Sequence, residues 1–126
     1  MTFVDSVVLI DALYGSPPRR AAALGLLRSE RCAGSELLVA ETLVLPLREG
    51  PAVTRAAEAV LDSVTLYPID RRILRRAAEL RAIIPGLKSP DAVHAATALV
   101  QGASEFVTRD TGFRRIPGLP LRHYAP

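Results

Sequence analysis

Four carboxylates, Asp5, Glu41, Asp91 and Asp110, stand far apart in a 126-residue chain and in surroundings that call for a reason. Asp5 closes the apolar run Thr2-Phe3-Val4, and Glu41 lies among Leu38, Val39, Ala40, Leu43 and Val44. An unpaired charge in such company is costly. Asp91 sits at the start of Ser89-Pro90-Asp91-Ala92-Val93-His94-Ala95-Ala96-Thr97-Ala98-Leu99, and Asp110 follows Glu105-Phe106-Val107-Thr108. If the four meet, they repel and raise one another's pKa values unless a cation neutralises them. No histidine and cysteine set supplies softer ligands, so an all-oxygen site suits Mg²⁺, with Mn²⁺ as the alternative. A hard divalent ion with open water positions activates water and stabilises charge on a phosphoryl group. Singly, each acid also has a plain structural use. Asp5 could cap a helix, Glu41 could face solvent, Asp91 could complement a helix dipole and Asp110 could start a turn.

The elements decide whether the four converge. Strands are expected at Thr2–Asp5, Arg31–Gly34, Val64–Tyr67 and Glu105–Thr108, with Leu121–Tyr124 as a final edge strand. Helices are expected at Ser6–Tyr14, Pro18–Arg28, Leu37–Leu45 with Pro46 perturbing its end, Pro51–Leu61, Asp70–Ile84, and from Ser89, capped by its hydroxyl, to Val100. Thr111–Arg115 reads as a turn of helix. The Ser89 helix is apolar on nearly every side, which marks it as buried and central. Alternation of short strands and helices predicts an α/β fold, a three-layer α/β/α sandwich on a short parallel sheet, as one domain over residues 1–126. In such a sheet the carboxyl ends of the strands share one edge, and helices that follow strands start there. Asp5 and Asp110 end strands, Glu41 lies in the second turn of a helix, and Asp91 opens one. All four fall on one rim.

Composition fits a polyanionic substrate. The net charge is +3, and with four of the 13 acids set aside, nine remain against 16 basic residues. All of those but Lys88 are arginine, whose planar fork suits phosphate. The arginines of 71–81 read first as a solvated helix face and second as an RNA-binding stripe. With 49% hydrophobic residues the chain can build a real core. No apolar run approaches the roughly 20 residues that span a bilayer. The first residues lack a secretion signal, so a cytoplasmic protein without membrane contact is expected. The single cysteine, Cys32, excludes an internal disulfide and a cysteine-based zinc site.

Phe3-Val4-Asp5-Ser6, Ser35-Glu36-Leu37-Leu38-Val39-Ala40-Glu41, Asp91-Ala92-Val93-His94-Ala95-Ala96-Thr97-Ala98 and Phe106-Val107-Thr108-Arg109-Asp110-Thr111-Gly112-Phe113 together resemble the PIN-domain family over essentially the whole chain. The resemblance is nearest to VapC-type toxins of toxin–antitoxin pairs. It implies a Mg²⁺- or Mn²⁺-dependent endoribonuclease with Asp5, Glu41, Asp91 and Asp110 as the catalytic acids. Asp5, Asp91 and Asp110 would hold the metal, and Thr108 and Ser6 would support them. It further implies a homodimer, a small cognate antitoxin as partner, and tRNA, rRNA or mRNA as substrate. Two positions depart from the pattern. Val7 stands where a small polar residue is common, and Arg109 where Asn is common, so Arg109 either loosens the metal site or helps hold a phosphate. A non-catalytic PIN-like module that binds RNA or protein is the competing reading. A phosphoryl-transfer receiver domain fits less well, because Asp5 lacks a neighbouring acid and Lys88 precedes a helix.

Asp11 reads as solvent-facing, with a bridge to an arginine as the alternative. His94, one turn after Asp91, reads as a packing or supporting residue rather than a general base.

Overall fold

Apolar residues on both faces of short strands demand helices above and below the sheet, and the computed structural model, which describes residues 1–124, has that arrangement. Its strands are β1 (Thr2–Val4), β2 (Cys32–Ser35), β3 (Thr65–Tyr67), β4 (Glu105–Thr108) and β5 (Leu121–His123). They pair in the order β3-β2-β1-β4-β5, every pair parallel. The helices are α1 (Ser6–Tyr14), α2 (Pro17–Ser29), α3 (Leu37–Glu49), α4 (Pro51–Asp62), α5 (Arg71–Ile83) and α6 (Ser89–Gln101), with a 3₁₀ turn at Thr111–Arg115. Residues 125–126 of the expected 1–126 unit lie outside the described residues.

The pleat of the two central strands divides the core. Phe3 and Phe106 point to one face, where they meet Ile73 and Leu80 of α5, the alanines of α6 and Phe113. Val4 and Val107 point to the other, against Val8 and Leu9 of α1, Leu38 of α3 and Leu61 of α4. Helix α6 is as buried as its composition requires, from Ala92 through Ala98. Its small side chains let α5 and the sheet approach closely.

Two helix ends differ from expectation. α3 does not stop at Leu45 but runs through Pro46 to Glu49. A proline lacks the N–H that would bond the carbonyl four residues back, so the helix forgoes one bond at Thr42. Pro46 is itself buried, and its carbonyl accepts from Gly50 N at 3.0 Å and from Thr54 Oγ1 at 3.0 Å, which ties the next turn to α4. Ser89 does not cap α6. Lys88 takes that place in extended backbone with no side-chain bond, its carbonyl accepting from Ala92 N at 3.0 Å. Ser89 and Pro90 both lie inside the first turn, where a missing N–H costs nothing.

α3 is seated on the sheet through Gly34 of β2, where a Cβ would overlap Leu38 Cδ1. Leu38 is fully buried, so the helix must shift to make room. Gly34→Ala is expected to destabilise the fold by about 1–3 kcal/mol in urea unfolding.

Candidate active site

Asp5 is the fixed point of the rim. It follows β1 and caps α1, with Oδ1 accepting from Val7 N at 3.1 Å. The β1–β4 register pairs Val4 with Val107, so Thr108 comes to rest beside Asp5. Thr108 Oγ1 donates to Asp5 Oδ2 at 2.6 Å and accepts from Asp110 N at 3.0 Å. One buried hydroxyl thus joins the first acid to the segment that carries the last. Asp110 in turn caps the 3₁₀ turn, Oδ1 accepting from Gly112 N at 2.8 Å, and stays exposed. The capping uses of Asp5 and Asp110 are therefore both real, and they aim the carboxylates rather than exhaust them.

Asp91 lies half-buried in the first turn of α6. Burial raises its pKa first, then the charges of Asp110 and Glu41, against the pull of His94 and Lys88. Asp5 is 5% exposed, and burial pushes it up to about 6. The bond from Thr108, the charge of His94 and the N–H of Val7 oppose that rise, and the charge of Asp91 adds to it. Asp91 is thus the acid that the other three share, raised by Asp110 and Glu41 and itself raising Asp5. Ser6 is partly exposed in the first turn of α1 and makes no side-chain hydrogen bond among the described residues.

Glu41 neither faces solvent nor stands free. Its Oε1 meets Nε2 of buried His94 at 2.5 Å, joining α3 to α6. A carboxylate only accepts, so Nε2 carries the hydrogen in this contact. Nδ1 is buried without a partner among the described residues. This pairing was not foreseen. The available signal was the spacing of Asp91 and His94, which puts both on one helix face.

Asp11 requires a correction. It is buried, and its two oxygens accept from Arg109 Nε at 3.0 Å and Nη2 at 3.1 Å, with the Tyr124 hydroxyl donating to Oδ2 at 3.1 Å. Of the two readings weighed for Asp11, the bridge to an arginine holds. Arg109 is turned toward this buried anchor. Val7 reaches Asp5 through its backbone N–H alone, and its apolar side chain offers no further hydrogen bond.

The donor set fits a hard cation. The groups facing the rim are carboxylate oxygens, and burial pushes the most buried of them, Asp5, up to about 6. Among the described residues no group of three or more acidic, histidine or cysteine side chains stands close enough to hold a metal ion. An open rim suits an ion that keeps several waters and takes one or two carboxylates. A cavity of about 300 Å³ between α2 and β5, lined by Ala22, Leu26, Val107 and Tyr124, includes none of the four acids.

Comparison with known proteins places this architecture. The PIN domain family model matches residues 2–119, and the chain belongs to that family. Among solved structures, a toxin–antitoxin complex from Klebsiella pneumoniae superposes with a TM-score of 0.78 at 26% identity, covering 94% of this chain and 95% of that one. Mycobacterium tuberculosis VapC20, described as a sarcin-ricin loop cleaving toxin, gives 0.75 at 21%, covering 90% and 93%. DNA-bound VapBC from Salmonella typhimurium gives 0.75 at 19%, covering 98% of each chain. No curated protein matches the chain in sequence. Among the described residues no helix is long and apolar enough to cross a membrane.

The two buried aspartates predict effects of opposite sign. Burial lets folded Asp5 keep its proton up to about pH 6, whereas in the unfolded chain an aspartate releases it near its ordinary value of 3.8. The folded state binds more protons across that interval, so the metal-free protein loses stability as pH rises through it. Asp5→Asn keeps the cap and removes the buried charge, and is expected to raise the metal-free melting temperature by a few degrees, about 1–2 kcal/mol. Wild type is expected to gain more in melting temperature from Mn²⁺ at about pH 7.5 than at about pH 5, where protons compete with the ion. Asp11→Ala strands Arg109 and the Tyr124 hydroxyl, and is expected to cost about 2–4 kcal/mol.

Proposed function

We propose that this chain is a metal-dependent endoribonuclease acting as the toxin of a type II toxin–antitoxin pair. The reading is supported by membership of the PIN family together with the influence of Asp110 and Glu41 on Asp91, and of Asp91 on buried Asp5. Asp5, Asp91 and Asp110 would hold Mg²⁺ or Mn²⁺, and Glu41 would assist. Such an ion supplies a water of lowered pKa and a positive charge beside the phosphoryl oxygens.

The chain's own residues do the positioning. Thr108 fixes the rotamer of Asp5 and the start of the Asp110 turn together, and Val7 N holds the other oxygen of Asp5. His94 fixes one oxygen of Glu41, so the second is left to orient water or ligate. Glu41, through its free oxygen, would accept a proton from water at the rim only while ionised, which a bound cation would favour. Ser6 adds a hydroxyl at the same helix end.

The family membership and the full-length likeness to VapC structures support an RNA substrate of the tRNA, rRNA or mRNA class. Solved relatives crystallised as toxin–antitoxin complexes support a small antitoxin as partner. Val44, Leu45 and Leu47 leave apolar surface exposed on α3, which suits an apolar antitoxin segment. A homodimer, a cytoplasmic location and a single PIN unit over residues 1–126 belong to the same reading.

The test is cleavage of labelled tRNA and rRNA fragments by antitoxin-free protein in EDTA, Mg²⁺ or Mn²⁺. Discrete products are expected only with metal. Asp91→Asn is expected to lose roughly 100-fold or more of the activity, and Thr108→Val, which cuts the tie to Asp5, roughly 10–100-fold. Intact RNA binding with no cleavage under either metal would leave the non-catalytic module as the function.

A further inference from the structure

The acid rim is bordered on its α5–α6 side by basic groups that no carboxylate pairs with among the described residues. Arg81, in the last turn of α5, donates from Nε to the Leu87 carbonyl at 2.9 Å. Arg115, at the end of the 3₁₀ turn, donates from Nη1 to the Pro85 carbonyl at 2.8 Å and from Nε to the Gly112 carbonyl at 3.4 Å. Both grip the connection that delivers Asp91, and both do so through neutral carbonyls. Such bonds fix where a guanidinium sits without cancelling its charge, and leave its remaining N–H groups to a ligand. Lys88 lies on that same connection, and Arg114 precedes Arg115; both are exposed, and neither side chain makes a hydrogen bond or ion pair among the described residues. Arg109 and Arg122 are held by carboxylates, Arg122 by Glu30 at 2.7 Å and Glu105 at 2.9 Å. The remaining arginines, on α5 among others, are also without an acid partner among the described residues, so that what sets the ridge apart is its place beside Asp91 and Asp110.

Three of these groups, Lys88, Arg114 and Arg115, lie on the two segments that adjoin the acids, and Arg81 of α5 bonds to the first of them. Residues 84–88 lead into Asp91, and the 3₁₀ turn follows Asp110. Arg115 bonds one to the other, so the basic ridge and the acid rim are parts of one surface. We propose that Arg81, Lys88, Arg114 and Arg115 form the track that holds the phosphate backbone of the RNA strand as it reaches the rim on the side of Asp91 and Asp110. This rests on the nuclease reading and deepens it, by naming the face from which the polyanion is held. Contacts of this kind position a strand without reading its sequence. The ridge therefore supplies affinity, and the choice of cleavage site lies with other groups.

Lys88 and Arg114 are the residues to change, because they brace nothing. Binding of a fluorescein-labelled RNA hairpin is measured against salt concentration in an Asp91→Asn background, where the RNA survives. Lys88→Gln and Arg114→Gln together are expected to weaken binding about 10-fold or more and to lower the slope of log affinity against log salt by about 1.5. The unfolding midpoint should not change. Arg55→Gln, on exposed α4 in the opposite helical layer, should leave the slope as it was. Hairpin binding with an unchanged slope in the double variant would overturn the track while leaving the nuclease reading intact. Failure of the Asp91→Asn protein to bind the hairpin at any salt would overturn both.

Discussion

A carboxylate withdrawn from water at the junction of β1 and α1 sets the terms for the rest of this structure. Asp5 can stay there because a hydroxyl and a backbone N–H bond its two oxygens. Those bonds lower the cost of its charge but do not remove it, and burial still dominates. The residues that satisfy Asp5 are also those that arrange its neighbours. Thr108 reaches it only because β4 lies parallel and in register beside β1, and the same hydroxyl receives the N–H of Asp110. The central sheet pairing and the geometry of the rim are thus one constraint seen at two scales.

Two buried aspartates on one helix show how environment divides roles between like residues. Asp11 accepts three hydrogen bonds, two of them from a guanidinium, and so binds α1 to the end of β4 and to Tyr124. Asp5, a short way along, has no cation among its hydrogen-bond partners. The first is a structural tie whose charge is compensated inside the protein. The second holds an electrostatic deficit open at the surface where α6 and the 3₁₀ turn bring further negative charge. That contrast, more than the number of acids, separates the carboxylate proposed to hold a metal from the architectural one.

Most of the fold was legible because its signals are local. Short β-branched and aromatic runs, prolines at helix starts and the alanine-rich α6 place the elements within a residue or two, and parallel topology follows from their alternation. The convergence of the acids follows from that topology alone. What escaped reading depends on contacts between distant segments. Asp11 lies on a helix whose sequence shows no clear polar face, and nothing local says that Arg109 will cover it. Glu41 and His94 meet only because α3 and α6 pack at a distance fixed in part by Gly34 and the alanines. The helix through Pro46 misled for a different reason. A proline weakens a helix by one bond, and tertiary burial of its ring together with the acceptors it offers α4 outweighs that loss.

Parallel strands cannot be joined by hairpins, and here the two central ones come from opposite ends of the chain, Phe3 pairing with Phe106. The bond from Thr108 to Asp5 spans 103 residues. Until the fourth strand has been made and has slid in beside the first, Asp5 lacks its hydroxyl partner and Asp110 has no anchored turn to stand on. The rim therefore forms only once β4 has joined β1. The proposed activity thus waits on one long-range event, the docking of β4 beside β1, and on no local segment by itself.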